Sequence, residues 1–173
     1  MNGMRKGLLL AAIQIAIVLS LGGKLLYDRA TRPRVWVLCQ VYDPDLPIRG
    51  RYLSEQIRMP AEGFAYVQPK ANQSEWWMNP QWAYFEVRDG RLIAVPQGHG
   101  SAGWVSLHQK ADGTLEAISR EPVLLFIPDR ADIPSLKPGE EMWVEVTIPA
   151  QGAPRPIRMA IKKDGAFTPI KTS

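Results

Sequence analysis

Two histidines and a serine come nearest to a catalytic pattern in type and spacing. His99 lies two residues before Ser101, and His108 lies nine residues after His99. A histidine beside a serine can act as general base for a nucleophilic hydroxyl. The serine turn of hydrolases, however, requires glycine two residues before the serine, and that residue here is His99. A flexible hairpin loop is therefore the favoured interpretation, with an envelope hydrolase as the alternative.

The sequence predicts no metal centre and no cofactor. The two histidines have no Cys, Asp or Glu between them at ligand spacing. The chain has one cysteine, Cys39, so an intrachain disulfide and a cysteine-based metal cluster are both excluded. Its apolar neighbours predict a small buried side chain. No glycine-rich phosphate loop precedes a predicted helix.

The segment Arg49-Gly50-Arg51-Tyr52 places a flexible residue between two cations just before a predicted strand. A sharp turn at Gly50 would present both guanidinium groups to an anion. The simpler interpretation is a turn or bulge at Gly50, with the Tyr52 ring in the core and its hydroxyl at the rim. The simpler interpretation is favoured.

Three tryptophans, Trp76, Trp77 and Trp82, form the densest aromatic stretch of the chain. Indole rings so close together can form a platform for sugar rings or the centre of a protein interface. Strand alternation would place some of these rings in the core in either case. We expect core packing with partial exposure, and this stretch is the preferred candidate for a partner contact.

Short antiparallel strands are predicted to position these residues. From Arg34 onward, β-branched and aromatic runs recur between turn residues, with little helical periodicity. An all-β or mainly β barrel or sandwich of roughly seven to ten strands follows from this pattern. The strand candidates are 35–41, 82–87, 92–95, 104–109, 114–118, 142–148, 157–161 and 166–170.

Three Asp-Gly pairs predict hairpin turns, at Asp89-Gly90, Asp112-Gly113 and Asp164-Gly165. Asp-Gly is favoured in tight hairpins because both residues can adopt positive φ. Within 142–148 the even positions are apolar and the odd positions are polar or aromatic. This alternation predicts one buried face and one face in contact with water.

An apolar run precedes the β region. Residues 7–23 carry no charge and follow Arg5 and Lys6, which is compatible with a membrane-spanning helix once Lys24 to Tyr27 are added. A cleaved signal peptide is the competing interpretation. The predicted organisation is a cytoplasmic start at 1–6, a transmembrane anchor at 7–27 contacting membrane lipid, a basic linker at 28–34 and a β-rich extracytoplasmic domain at 35–173.

The charge is distributed unevenly along the chain. The net charge of +4 arises from residues 1–34, which carry +5 and leave a net −1 for the remainder. Cations flanking an anchor meet lipid headgroups, so nucleic acid is not a predicted partner.

A positive-inside count favours a cytoplasmic β domain. The short basic start followed at once by the apolar run favours export, and export is the prediction.

The segment 42–57, YDPDLPIRGRYLSEQI, resembles a family of membrane-anchored bacterial proteins named for a GDYXXLXY motif. Arg51, Glu55 and Ile57 stand where that motif has aspartate, leucine and tyrosine. The resemblance implies an inner-membrane protein with a periplasmic domain, without an established activity and often associated with a polytopic membrane protein. The residues that match the family pattern are Asp43, Pro44, Asp45, Leu46, Arg49, Gly50 and Tyr52.

The sequence thus predicts a single-pass, membrane-anchored accessory or interaction protein of the bacterial envelope that acts with an integral membrane partner. The alternative is an envelope hydrolase or a protein that binds or processes carbohydrate, with a site near 49–52 or 99–101.

Overall fold

The computed structural model describes residues 3–43, 51–66, 80–127 and 136–170, and these form one helix and ten strands. The chain divides into two compact units, Met1–Arg32 and Pro33–Ser173. The elements are α1 (Gly3–Thr31), β1 (Arg34–Asp43), β2 (Arg51–Pro60), β3 (Pro80–Arg88), β4 (Arg91–Val95), β5 (Ala102–Gln109), β6 (Leu115–Ser119), β7 (Val123–Ile127), β8 (Glu141–Thr147), β9 (Arg155–Lys163) and β10 (Ala166–Pro169).

Helix α1 contains the apolar run and extends past Tyr27 to Thr31, into the segment expected to be a linker. It ends two residues before Pro33, because proline disfavours helical conformation in the residue that precedes it. The 26 residues of Lys6–Thr31 have a mean hydropathy of 2.0 in their most apolar window, which is not buried in the protein. At about 1.5 Å per residue they span about 39 Å, enough to cross a hydrocarbon core of about 30 Å.

The strands form one antiparallel sheet in the order β10-β9-β8-β1-β2-β6-β5-β3-β4. Two strands pair with the same edge of β2: β7 pairs with its first half, and β6 pairs with its last three residues. Strand β4 lies close to β1 and β2, and β7 lies close to β9. The sheet therefore curls into a half-barrel, and the predicted mainly β antiparallel fold behind one apolar helix is confirmed.

Two of the three Asp-Gly turns have the predicted geometry. Asp89 and Asp164 have φ near 50°, and the glycine after each is also positive, which joins β3 to β4 and β9 to β10 through two-residue loops. The prediction is wrong in detail for Asp112-Gly113, where of the two residues only the glycine has positive φ. There the Asp112 carboxylate accepts hydrogen bonds from the Thr114 N–H (2.9 Å) and hydroxyl (2.6 Å), which favours a longer loop.

The core lies on one face of the curled sheet and is built by strand alternation. In β1 the side chains of Val35, Val37 and Cys39 are buried, whereas Trp36 and Leu38 between them are half-buried. Alanines at 83, 94 and 117 are fully buried and allow neighbouring strands to curl toward one another. Each fully buried Val, Ile or Met contributes roughly 1.5–3 kcal/mol relative to exposure.

The even positions of β8 are buried as predicted, but the expectation that its other face meets water is wrong. Glu145 and Thr147 are 8% and 3% exposed. Glu145 is covered from the neighbouring strand β9, where Arg158 Nε donates a hydrogen bond of 2.7 Å to its carboxylate. The second face of the sheet is therefore partly covered by its own long side chains.

Candidate functional site

A groove of about 290 Å³ runs beside β1, β2 and β8 and also receives residues from β4, β6, β9 and the β5–β6 loop. We call it the cationic groove. Four of its lining side chains are cations and one is a carboxylate, whereas residues 35–173 as a whole carry a net −1. The charged lining residues are Arg58, Arg91, Lys110, Lys162 and Glu116.

The Glu116 carboxylate organises one end of the cationic groove. Its side chain is 6% exposed, and it accepts a hydrogen bond of 3.0 Å from Arg58 Nε and a second from Arg58 Nη2. Lys110 Nζ lies 3.1 Å from the other carboxylate oxygen. The sheet register explains the meeting, because Pro60 of β2 lies opposite Glu116 of β6 and Arg58 is the diagonal neighbour on the same face.

Aromatic rings contact two cations on β9, Lys162, which lines the cationic groove, and Arg158, which does not. Lys162 Nζ lies 4.4 Å from the ring centroid of Trp143, within cation–π range. The ring of Phe167 stacks on Trp36 at 4.9 Å and meets Trp143 edge-on at 5.7 Å. Arg158, already bonded to Glu145, lies 5.4 Å from the Trp36 ring. Strands β1, β8, β9 and β10 thus form a continuous aromatic and cationic surface.

A second aromatic feature lies on β3 and β5. Trp82 and Trp104 are directly opposite in the strand register and meet edge to face, with centroids 5.5 Å apart. Each is 46% exposed, so the pair presents a large indole surface to solvent. Trp82 is one of the three predicted interface tryptophans, whereas Trp76 and Trp77 lie outside the described residues. Trp104 was not predicted, since only the register brings it beside Trp82.

The residues of the family motif fall at the end of β1 and the start of β2. Asp43 is the last residue of β1, next to a register shift between Val41 and Asp43. Tyr52 lies in β2 opposite Phe126 of β7. The remaining motif residues of the predicted site, Pro44, Asp45, Arg49 and Gly50, lie outside the described residues.

The imagined serine–histidine pair is not assembled as a nucleophile and base. Ser101 is 2% exposed, and its hydroxyl donates a hydrogen bond of 2.7 Å to the carbonyl of Gly152. His99 lies in the exposed loop after β4. His108 belongs to β5, opposite Glu116 of β6. Within the described ranges, no group of three His, Cys, Asp or Glu residues is placed to hold a metal ion.

A buried acid that sequence reasoning missed lies on the core face. Glu55 of β2 is 1% exposed, and neither of its carboxylate oxygens has a hydrogen-bond partner of normal geometry in the described part of the chain. Val41 of β1 and Val123 of β7 lie opposite it in the sheet register. Burial raises the pKa of the Glu55 carboxyl to about 7, and the nearby Cys39 thiol opposes part of that change.

The fold and these sites define a class of protein, a curled antiparallel β domain behind one helix long and apolar enough to cross a membrane. No protein-family model, curated protein or solved structure matches the chain. The resemblance to the GDYXXLXY family remains a prediction.

Proposed function

We propose that this protein is a membrane-tethered accessory module of the bacterial inner membrane, whose periplasmic β domain contacts a polytopic membrane protein. The exposed Trp82–Trp104 pair is the observation that carries the proposal. Tryptophan is among the residues most enriched in interface hot spots, and each ring of this edge-to-face pair is 46% exposed. We call this pair the docking surface.

The apolar helix supports the tether. Its most apolar window is not buried in the protein, so its leucine, isoleucine and valine side chains require a lipid environment or removal as a signal sequence. If the helix is retained, it tethers the β domain to the membrane surface, which supports contact with membrane proteins. A hydrolytic role receives no comparable support from the described residues, because the Ser101 hydroxyl bonds to Gly152.

Membrane location is tested by fusing alkaline phosphatase to the C-terminus and an affinity tag to the N-terminus. Active phosphatase on membranes that retain the tag is the expected result. A fusion that is produced at full length but has no phosphatase activity contradicts the periplasmic domain, because alkaline phosphatase needs the oxidising periplasm to form its disulfides. Loss of the tag from a soluble product contradicts the tether.

The docking surface is tested by placing a photo-crosslinking amino acid at position 104 in cells. We expect one crosslinked membrane protein of defined mass, which disappears when Trp82→Ala is added. The same crosslinker at Leu124, which is 52% exposed on β7, is the matched control and should not give that product. Equal crosslinking from both positions would overturn the docking surface.

A further inference from the structure

The cationic groove concentrates positive charge on a domain whose net charge is slightly negative. Its charged lining residues sum to +3, against −1 for residues 35–173 as a whole. A concave site lined by one sign of charge raises the local concentration of ions of the opposite sign. The electrostatics of the groove therefore favour an anionic ligand.

Contacts within the protein position three of the four cations. Glu116 holds Arg58 and Lys110, and the Trp143 ring carries Lys162. Cations fixed in this way lose less side-chain entropy when a ligand binds. A guanidinium has five N–H donors and an ammonium three, more than the two oxygens of Glu116 engage. Donors therefore remain at both residues for a further oxyanion.

The aromatic rings of the groove favour recognition by charge over stacking. Trp36 is stacked with Phe167, and Trp143 carries Lys162 on its ring. A sugar ring would have to displace these partners before it could stack. Arg and Lys donors instead match the several oxygens of a phosphate. A volume of about 290 Å³ lies at the small end of ligand sites and accommodates a phosphate with a short organic group.

We propose that the cationic groove binds the phosphate group of a phosphate ester, either a soluble molecule or the headgroup of an anionic lipid. Glu116 contacts Arg58 and Lys110 in this site. The site does not depend on the docking surface, so it stands whether or not a protein partner binds at Trp82–Trp104.

The test is calorimetric titration of the full chain in an uncharged detergent. One arm uses glycerol 3-phosphate, and the other uses dihexanoyl phosphatidylglycerol below its micellar concentration, both against sodium chloride of equal ionic strength. Binding of glycerol 3-phosphate at least as tight as that of the lipid assigns a soluble phosphate ester. Binding of the lipid alone assigns a headgroup when Lys162→Gln weakens it, because the basic flanks of the helix can also attract an anionic lipid. Absence of binding in both arms overturns the proposal.

Two neighbouring lysines on β9 provide matched variants with the same loss of charge. Lys162→Gln removes a groove cation and is expected to weaken binding about tenfold, the loss of one charge-assisted hydrogen bond. Lys163→Gln removes a lysine whose Nζ lies 3.4 Å from Glu140 outside the groove, and should weaken binding by less than about twofold.

Equal weakening by the two substitutions would show non-specific attraction and overturn the site. Circular dichroism and the melting temperature verify that both variants fold. Arg91→Gln provides an independent groove variant, because Arg91 is exposed at the start of β4. It is expected to weaken binding in the same direction as Lys162→Gln, and unchanged affinity in both would also overturn the proposal.

Discussion

Glu55 and Glu116 are buried to nearly the same extent, 1% and 5% exposed, on opposite faces of the same sheet, yet their surroundings differ in kind. Glu116 meets Arg58 and Lys110, whereas Glu55 has valines opposite it and the thiol of Cys39 nearby. A buried charge is tolerated when it is paired, and an unpaired acid takes up a proton instead. Burial alone therefore does not decide what a carboxylate does in this fold.

The unpaired acid predicts the largest effect, a fall in stability as pH rises. The folded-state pKa of Glu55 is about 7 against an ordinary value of 4.5, so the folded protein binds more protons than the unfolded chain between these values. The protonated Glu55 carboxyl therefore contributes stability that is fully present below pH 4.5 and is lost as the pH rises through about 7. The loss is about 3 kcal/mol, measured as the free energy of urea unfolding at each pH.

Glu55→Met is the matched variant for this titration, because it replaces the acid with an apolar side chain of similar length. We expect it to be more stable than the wild type at pH 8 and to lose the fall in stability between pH 4.5 and 7. If Glu55→Met has the same pH dependence as the wild type, another group is responsible and the contrast with Glu116 fails.

Removing the charge of the paired acid Glu116 should destabilise the protein, whereas Glu55→Met should stabilise it at pH 8. Glu116→Gln keeps the shape of the side chain but removes the charge that holds Arg58 and Lys110, whose side chains are 34% and 50% exposed. Water partly compensates both cations, so we expect a cost of about 2 kcal/mol at pH 7 in urea unfolding. Glu121→Gln, an exposed position between β6 and β7, is the control and should stay within about 0.5 kcal/mol.

A cost below that of the control would mean that solvent satisfies both cations without Glu116. A double-mutant cycle with Arg58→Met separates the pair from the remaining effects of each substitution. Coupling between positions 58 and 116 is expected, since the Arg58 Nε to Glu116 oxygen distance is 3.0 Å.

Local chemistry allowed the sequence to predict much of this fold. The turns at Asp89-Gly90 and Asp164-Gly165 and the apolar helix depend on neighbouring residues, and the structure has them. Strand pairing between distant segments was not predictable, because β2 divides its edge between β6 and β7. That division depends on pairing between residues about 56 to 76 positions apart, for which the local pattern has no signal.

The candidate sites also differ in how far the sequence alone could predict them. The cationic groove was missed because Arg58 and Glu116 are far apart in the chain and meet only through the register. Glu55 carried a usable signal, since it shares strand parity with Ile57 and Met59, both buried. The degenerate motif that contains Glu55 gives no information on the face of the strand on which this residue lies.

The smallest effect is expected at Glu145, the acid that lies between the two extremes. It is 8% exposed and bonds to Arg158, whose side chain is 56% exposed on the neighbouring strand. Because water reaches the cation, Glu145→Gln should cost about 0.5 kcal/mol in urea unfolding, less than Glu116→Gln. A cost equal to that of Glu116→Gln would mean that burial of the acid, and not the number and exposure of its cations, sets the penalty. A larger stability cost for Glu116→Gln than for Glu145→Gln would instead show that the number and exposure of the cations bonded to each acid set the penalty.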